Sequence, residues 1–407
     1  MSLIEAVSGV ALPLTPDFDT WPIVHQPVAA TVENGIVAIR WDDSLISHFH
    51  GIWLRDNAPD PQTHSPATRE QITHPWHLPA NLAVTAASLG AGGTVVVTFA
   101  PEEQRIAYHP GWLRAVDYSN GARDDLGERA PTYWDGGMFQ EPSTFDGPSC
   151  LETDGILLEA LETLAEFGIV RLRNVPTEDQ AVRRVAERIG TIRNSNFGLL
   201  FDVKTTPSEA RKTADSNAYF SVALAPHTDL ATREYEPGLQ LLHCLTNSTR
   251  GGQAIYVDGF AVADHIRRSD ADLWRAITEI DWTFTNRSPA SDYRWRTPIV
   301  VLDRDGAPSE IRATTFLRGP LNVAFDEVEF AYAGLNAFQN LAESDEFRMT
   351  FSYSPGDLVI FDNRRVLHGR TAFDDAVGAR ALKGCYMERE EMLSRIRVLR
   401  RNAGASP

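Results

Sequence analysis

Short stretches of alternating apolar and polar residues dominate the first 120 positions of the chain. Residues 35–41 (GIVAIRW) and 93–99 (GTVVVTF) are rich in β-branched side chains and lie between turn-forming residues. Alternation with period two is typical of a strand that buries one face. The pattern therefore predicts a small β-rich N-terminal domain, which we place at residues 1–125.

The composition then changes from turn-forming residues to a helical pattern. Residues 126–150 contain many Gly, Pro and Asp, and they predict a linker to a second domain at residues 151–407. Leu157, Leu161 and Leu164 recur at helical spacing, and Gly168 ends that pattern. A strand is expected directly after this glycine, followed by a second helix over residues 178–190.

Strand-like runs outnumber helical ones in the rest of the chain. One helix is predicted over residues 261–280. The predicted strands cover residues 239–245, 254–257, 299–302, 348–353 and 357–361. Many strands with few helices favour a β-sandwich or jelly-roll core, so the expected fold class is mainly β with flanking helices.

The net charge argues against two classes of binding partner, and the cysteine content indicates where the protein is located. The formal net charge of −17 argues against nucleic acid or an anionic membrane as a partner, because both repel an acidic surface. No apolar run approaches the roughly 20 residues of a membrane span, and the start lacks the pattern of a secretory signal. Three widely spaced cysteines suit a reducing cytoplasm, which is the expected location.

Two histidines and one aspartate form the candidate metal site. His227 and Asp229 are two residues apart, a spacing that places both side chains on one face of an extended strand. His368 follows 141 residues later, just after a predicted strand and an Asp-Asn turn. Two histidines and a carboxylate are the ligands of non-haem Fe(II) oxygenases, which leave coordination positions open for a co-substrate and O2.

An arginine follows the second histidine at a distance that suits a co-substrate anchor. Arg380 lies 12 residues after His368. A guanidinium binds a carboxylate through two parallel hydrogen bonds, which is what anchoring the distal end of 2-oxoglutarate requires. The histidine–aspartate pair alone occurs by chance, but its combination with a long β-rich interval, a second histidine and an arginine is far rarer.

The chain resembles the γ-butyrobetaine hydroxylase branch of the taurine-dioxygenase-like superfamily along nearly its whole length. The matching segments are Trp53-Leu-Arg-Asp-Asn57, His227-Thr-Asp229, residues 237–244 (PGLQLLHC), 251–252 (GG), 257–260 (VDGF), 355–363 (PGDLVIFDN), 367–370 (LHGR) and 394–397 (SRIR). The resemblance implies a double-stranded β-helix with a small N-terminal domain, assembled as a homodimer. It also implies that Fe(II) is the metal and that Arg380 and Leu242 bind 2-oxoglutarate.

The resemblance also implies the reaction and one end of the substrate. Oxidative decarboxylation of 2-oxoglutarate gives succinate and CO2 and drives hydroxylation of an unactivated C–H bond. Halogenating relatives replace the metal-binding carboxylate with a small residue, so the presence of Asp229 favours hydroxylation. The branch acts on small zwitterions with a trimethylammonium group, which an aromatic cage binds by cation–π attraction. By position, the cage residues here are Phe197, Phe201, Tyr219 and Tyr386.

The N-terminal domain departs from the pattern of this branch. Its members usually bind zinc through three cysteines just after the Trp-Leu-Arg-Asp-Asn segment, together with a histidine. Here the segment continues as Ala58-Pro-Asp-Pro-Gln-Thr-His64 and contains no cysteine. A thiolate zinc site is therefore excluded, and no zinc is expected.

The residues that would bind the anionic end of the substrate also differ. Asn286 and Arg287 lie in the region that supplies this contact, and five arginines occur within 32 residues there: Arg287, Arg294, Arg296, Arg312 and Arg318. Most arginines are solvated, but one that faces a pocket would suit a phosphonate. One relative of the enzymes that this chain resembles hydroxylates 2-(trimethylammonio)ethylphosphonate next to phosphorus, so the resemblance and the arginines together favour this substrate. The alternatives are γ-butyrobetaine, which would give L-carnitine, and a taurine-type sulfonate.

Two further classes of protein remain open from the residues alone. A zinc hydrolase also uses two histidines and a carboxylate, but it would not explain Arg380. A binding protein with the same fold but no activity is the other class. The complete set of candidate metal ligands, together with Arg380, argues against it. Release of succinate on addition of Fe(II) and substrate separates these classes from an oxygenase.

Overall fold

The structure is a computed structural model that describes residues 11–121, 130–204, 222–289, 291–374 and 378–404. The described residues form two compact units. The N-terminal unit lies within residues 1–127 and 400–407, and the catalytic unit within residues 128–399. No helix in these described ranges is long and apolar enough to cross a membrane.

Two antiparallel three-stranded sheets form the N-terminal unit. Their strands are β1 (Pro27–Glu33), β2 (Ile36–Trp41), β3 (Ile46–His50), β4 (Ala83–Leu89), β5 (Val95–Ala100) and β6 (Gln104–Tyr108), with short helices α1 (Gly51–Asp56) and α2 (Pro110–Ala115). The predicted strands at residues 35–41 and 93–99 correspond to β2 and β5. Alternate residues such as Val37, Ile39, Val95 and Val97 are fully buried and build one apolar core.

Hydrogen bonds around Arg55 hold the segment in which the resemblance would place zinc ligands. The Arg55 guanidinium is 3% exposed and donates to the hydroxyl of Thr63 at 2.6 Å. That hydroxyl donates to Asp60 at 2.7 Å, and Glu102 lies 3.5 Å from Arg55. His64 contacts the carbonyl of Ala58 at 2.8 Å. A buried cation is stable only when it is paired and hydrogen-bonded, and this network meets that requirement.

The remaining strands and helices follow residue 143. The strands are β7 (Thr144–Asp146), β8 (Ile169–Arg173), β9 (Ile192–Arg193), β10 (Phe201–Lys204), β11 (Leu224–His227), β12 (Leu239–Asn247), β13 (Arg250–Gly251), β14 (Ala254–Asp258), β15 (Trp282–Ser288), β16 (Ser291–Thr297), β17 (Val300–Leu302), β18 (Pro308–Ile311), β19 (Arg348–Phe351), β20 (Leu358–Asp362), β21 (Val366–Arg370), β22 (Phe373–Asp374) and β23 (Arg380–Met387). The helices are α3 (Gly147–Glu152), α4 (Asp154–Phe167), α5 (Ala181–Ile189), α6 (Gly259–Ser269), α7 (Ala271–Glu279), α8 (Val328–Ala342) and α9 (Arg389–Asn402).

Two facing sheets form the jelly roll of the catalytic unit. The larger sheet has the strand order β10-β23-β12-β20-β8-β7, with β9 also paired to β23, and the smaller sheet has the order β11-β21-β14-β19. Apolar side chains from both sheets pack together, including Cys244, Phe361 and Leu382 from the larger sheet and Tyr256 and Phe351 from the smaller. The predicted double-stranded β-helix is confirmed.

Alternation along the strands of the larger sheet decides which residues reach the interior of the jelly roll. In β12, Leu239 and Leu241 pack against the layer of α4 and α5, whereas Leu242 packs between the sheets. In β23, Cys385 packs outward in the same way and Leu382 packs inward. Side chains two residues apart share a face, so this register directs every second residue of β23 into the interior.

The predicted helix over residues 261–280 is two helices, α6 and α7. Asp270 separates them with an extended backbone, and its carboxylate accepts hydrogen bonds from the amides of Asp272 and Leu273, as an N-cap does. The sequence patterns also missed α8 and α9. The predicted linker includes β7 and the start of α3, and within it Trp134 is buried and donates its indole N–H to the carbonyl of Phe167.

Candidate active site

A cavity of about 410 Å³ in the catalytic unit brings together most of the predicted site residues. Its lining includes His227, Asp229, His368, Arg380, Leu242, Phe197, Phe201, Tyr386, Asn286 and Arg287. Tyr219, the remaining predicted cage residue, lies outside the described residues.

Two imidazoles and one carboxylate converge on one side of this cavity. One ligand atom each from His227, Asp229 and His368 lies within 4.8 Å of the others. Nε2 of His227 is 3.4 Å from one carboxylate oxygen of Asp229, and Nε2 of His368 is 3.7 Å from the other. The Nδ1–H of His227 donates to the carbonyl of Ala225 at 2.8 Å, which fixes the tautomer and leaves Nε2 free to bind a metal. This donor set fits Fe(II).

The two histidines meet because their strands pair, whereas Asp229 is placed by a turn. His227 is the last residue of β11 and is paired across the strands with His368 of β21. The strand therefore ends before Asp229, and the expected alternation within an extended strand does not explain the pair. Instead, Asn363 accepts a hydrogen bond from the amide of Asp229 at 2.8 Å and donates to its carbonyl at 3.0 Å.

Electrostatics keep this cluster in the protonation state that binds a metal. Burial and the nearby His227 lower the pKa of His368 to about 3, so its imidazole is neutral at neutral pH. Burial alone would raise the pKa of Asp229, but His368, His227 and the hydroxyl of Tyr386 lower it overall. Asp229 is therefore an ionised carboxylate beside the neutral imidazole of His368.

A pair of buried arginines lies in the same cavity. Arg380 on β23 and Arg370 on β21 both contact the ring of Phe373, at 5.8 and 5.1 Å. Burial lowers the pKa of Arg380, and burial together with Arg380 lowers the pKa of Arg370 to about 10. With a pKa of about 10, Arg370 remains charged at neutral pH. In the described part of the chain Nε of Arg380 is buried without a hydrogen-bond partner, which fits an anionic co-substrate.

Three aromatic rings of the predicted cage lie next to one another. The rings of Phe201 and Tyr386 are stacked at 4.7 Å, and those of Phe197 and Phe201 are 6.4 Å apart. A cation is attracted to the faces of such rings. The hydroxyl of Tyr386 also donates to Asp229 at 2.7 Å, a contact that the sequence did not indicate.

Asn286 and Arg287 lie on β15 and line the cavity. The Arg287 side chain is 54% exposed, and its Nε is 3.5 Å from Asp292. Among the five arginines of this region it is the one that lines the cavity. The other four have different contacts: Arg294 pairs with Asp292, Arg296 with Asp281 and Arg312 with Glu310, and Arg318 lies over the ring of Trp282.

Several residues of the site were missed by the sequence patterns. Asn363 was read only as part of a turn, although it orients Asp229. Arg370 lies two residues after His368 in the same strand, so alternation in β21 could have placed it in the cavity. Phe316 packs edge-on against His227 at 4.9 Å, and no local pattern indicated this contact.

The jelly roll and these side chains together define a class of protein, the Fe(II)- and 2-oxoglutarate-dependent oxygenases. The chain matches the model of the family described as "Taurine catabolism dioxygenase TauD, TfdA family" over residues 130–386, and it belongs to that family. It is a dioxygenase that uses Fe(II), 2-oxoglutarate and O2 to hydroxylate a small molecule.

Individual relatives extend the similarity beyond the catalytic unit. The chain is 39% identical over 390 residues to a γ-butyrobetaine dioxygenase of Pseudomonas sp. (strain AK-1), covering 95% of this chain and 99% of that protein. It is 28% identical to the γ-butyrobetaine dioxygenase of Homo sapiens, covering 90% and 94%. A solved structure of AAD-2 with Mn(II) and N-oxalylglycine is 16% identical with a TM-score of 0.48, covering 62% of this chain and 97% of that one.

Proposed function

We propose that the chain hydroxylates a small zwitterion that carries a trimethylammonium group at one end and an oxyanion at the other. The observation that carries this proposal is that the aromatic rings, the metal-ligand cluster and Asn286–Arg287 all line one cavity. In this proposal His227, Asp229 and His368 hold Fe(II), and Arg380 and Leu242 bind 2-oxoglutarate. The bound metal and co-substrate supply the oxidising power for hydroxylation of a C–H bond.

The rings of Phe197, Phe201 and Tyr386 would bind the trimethylammonium end. A quaternary ammonium has no N–H to donate, so ring faces recognise it better than hydrogen-bond acceptors do. Phenylalanine keeps the negative ring face but attracts a cation less strongly than tryptophan does. Besides the candidate metal ligand Asp229, the acid that lines the cavity is Asp202, and it is already paired with Lys383 at 3.0 Å. The rings therefore carry most of the expected recognition.

The chemistry of Arg287 supports a phosphonate at the anionic end. A guanidinium matches phosphoryl oxygens in charge and geometry, and the neighbouring amide of Asn286 can donate to the same group. On this ground our first candidate is 2-(trimethylammonio)ethylphosphonate, hydroxylated at the carbon next to phosphorus.

A carboxylate at the anionic end is the second candidate, and a separate observation favours it. The relative from Pseudomonas sp. (strain AK-1), 39% identical along almost the whole chain, is a γ-butyrobetaine dioxygenase. In addition, Asp292 lies beside Arg287 and offsets part of its charge, which suits a carboxylate of charge −1 better than a more highly charged phosphonate. Hydroxylation of γ-butyrobetaine would give L-carnitine.

A matched set of substrates tests both the class and the end group. The set contains trimethylammonium phosphonates, carboxylates and sulfonates, each with a dimethylamino analogue, and substrate-dependent succinate formation is measured. We expect turnover with a trimethylammonium compound and at least tenfold lower kcat/KM for its dimethylamino analogue. Succinate formation with taurine but with no trimethylammonium compound would contradict the proposed substrate class. Equal activity with a trimethylammonium compound and its dimethylamino analogue would contradict it too.

The substitution Arg287→Ala tests whether the anionic end of the substrate is a phosphonate or a carboxylate. Removal of a guanidinium that binds phosphonate should lower kcat/KM for the phosphonate more than for the carboxylate, because only the phosphonate carries the extra charge. Arg267→Ala is the control, since Arg267 is an exposed residue of α6 paired with Asp264 outside the cavity. Equal losses on both substrates would remove the reason for preferring the phosphonate.

A further inference from the structure

The hydroxyl and the ring of Tyr386 point to two different parts of the site. The hydroxyl donates to Oδ2 of Asp229 at 2.7 Å, while the ring stacks on Phe201 at 4.7 Å. Tyr386 is 3% exposed, so water does not compete freely for either contact. One side chain thus contacts both a candidate metal ligand and the aromatic group assigned to the substrate.

The position of Tyr386 in the fold makes this contact rigid. Its strand, β23, lies inside the larger sheet, where Tyr386 is paired with Gln240 on one side and with Arg193 on the other. Backbone pairing on both sides limits how far the side chain can shift. A hydrogen bond made from such a position holds its acceptor in one orientation.

The Asp229 carboxylate needs an external partner for its orientation. Asn363 holds Asp229 through the backbone amide and carbonyl of that residue rather than through its carboxylate. One carboxylate oxygen lies 3.4 Å from Nε2 of His227, and the other lies beside His368 and the hydroxyl of Tyr386. A metal-binding carboxylate is typically hydrogen-bonded by a further residue, and the loss of such a partner costs about 10- to 100-fold in metal affinity or activity.

We propose that Tyr386 is a positioning residue for the metal site, because its hydroxyl orients the carboxylate of Asp229, while its ring keeps the role that the proposed function gives it. The hydroxyl occupies Oδ2 and so leaves Oδ1 to bind the metal. The role of the ring rests on the proposed function, whereas the role of the hydroxyl does not. The two parts of the residue can be tested separately, because Tyr386→Phe removes only the hydroxyl.

The experiment measures Mn(II) affinity by electron paramagnetic resonance titration of the full-length protein, without co-substrate or substrate. We expect Tyr386→Phe to bind Mn(II) about 10- to 100-fold more weakly than the unaltered protein. The absorption bands of bound Co(II), which report ligand geometry, should change as well. The variant His227→Ala shows the Mn(II) affinity of a site that has lost one metal ligand. The melting temperature of each metal-free variant shows whether it is folded.

Two control variants separate the hydroxyl from other effects. Tyr332→Phe makes the same chemical change at a 41% exposed position on α8, where the ring packs on Trp282, and it should leave Mn(II) affinity unchanged. Phe201→Leu removes the stacked ring and keeps the hydrogen bond, so it should weaken binding of the trimethylammonium substrate without changing Mn(II) affinity.

The outcomes that overturn the inference differ from those that overturn the proposed function. Unchanged Mn(II) affinity in Tyr386→Phe would show that the hydroxyl does not position Asp229. Equal loss of Mn(II) affinity in Phe201→Leu would assign the effect to packing of the rings and would also overturn the inference. If Phe201→Leu binds the trimethylammonium compound as tightly as the unaltered protein does, the cage of the proposed function fails while the metal-site inference stands.

Discussion

At the scale of single residues, the site depends on two guanidinium groups that are buried close to each other. Arg380 is 6% exposed, lies beside the second guanidinium of Arg370, and has a buried Nε without a hydrogen-bond partner in the part of the chain that the structure describes. Two like charges buried close together repel each other, and a dicarboxylate that enters the cavity would offset this repulsion. This arrangement favours an anionic co-substrate.

We predict that Arg380→Ala raises the KM for 2-oxoglutarate strongly. Loss of one partner of a buried hydrogen-bonded charge pair costs about 2–5 kcal/mol, which corresponds to more than tenfold in binding. The KM for the primary substrate, measured at saturating 2-oxoglutarate, should change much less. Arg267→Ala serves as the control here too, because that arginine is exposed. An unchanged KM for 2-oxoglutarate would show that a different residue anchors the co-substrate.

At the scale of single elements, strand β23 supplies several parts of the site from one face. Arg380, Leu382 and Tyr386 line the cavity at alternate positions. Between them, Gly384 is paired across the strands with Phe201 of β10. A glycine inside a strand often marks a close approach by another group, and here the Phe201 ring covers the position that a side chain would fill.

We predict that Gly384→Ala weakens substrate binding without disturbing the metal site. A Cβ at this position would lie 2.5 Å from two ring atoms of Phe201, so the ring must move away from its stacked position on Tyr386. We expect the KM for the trimethylammonium substrate to rise at least severalfold and Mn(II) affinity to stay the same.

A second glycine provides a matched control for this substitution. Gly155 is an exposed residue of α4, and a Cβ there has no heavy atom within 4 Å. Gly155→Ala should leave the KM unchanged and stabilise the protein by roughly 0.4–1 kcal/mol, because alanine favours a helix. A Gly384→Ala protein with normal KM would show that the Phe201 ring is not part of the binding surface.

At the scale of the whole molecule, the two compact units differ in their relation to metals. The catalytic unit contains a cluster that can hold one ion, and the three cysteines of the chain all lie at or beyond residue 150. The N-terminal unit therefore has no thiolate ligand, and its described residues are held by an apolar core and by the hydrogen bonds of Arg55. The N-terminal unit has one group of candidate ligands, His25 with Asp42 and Asp43, but both aspartates are exposed, and exposed acidic groups are common without an ion. We therefore expect tight metal binding in the catalytic unit.

We predict that Mn(II) raises the melting temperature of the unaltered protein and not that of His227→Ala. A ligand at 100 times its Kd stabilises the folded state by about 2.7 kcal/mol, which corresponds to a shift of roughly 5–10 °C for a domain of this size. Elemental analysis should find about one tightly bound metal ion per chain and none in His227→Ala. Retention of zinc by His227→Ala would contradict the expectation that the N-terminal unit binds no zinc.

The sequence by itself determined which residue types could form the site and how each strand alternates. His227, Asp229, His368 and Arg380 were found from spacing and ligand chemistry, and the cavity brings them together. Strand-forming runs were found because period-two alternation is a local property of the chain. Helices α8 and α9 were missed, and the break at Asp270 was not expected, because a polar residue at a helix boundary resembles one on a solvated helix face.

Only the tertiary structure decided where side chains point and what they contact. Pairing between β11 and β21 brings His227 beside His368, and a turn held by Asn363 places Asp229. Among five arginines with similar local surroundings, Arg287 alone lines the cavity. The physical reason is that strand register and long-range hydrogen bonds select the partners of a side chain, and they depend on residues more than 100 positions apart. The local sequence pattern shows only that side chains alternate between the two faces of a strand.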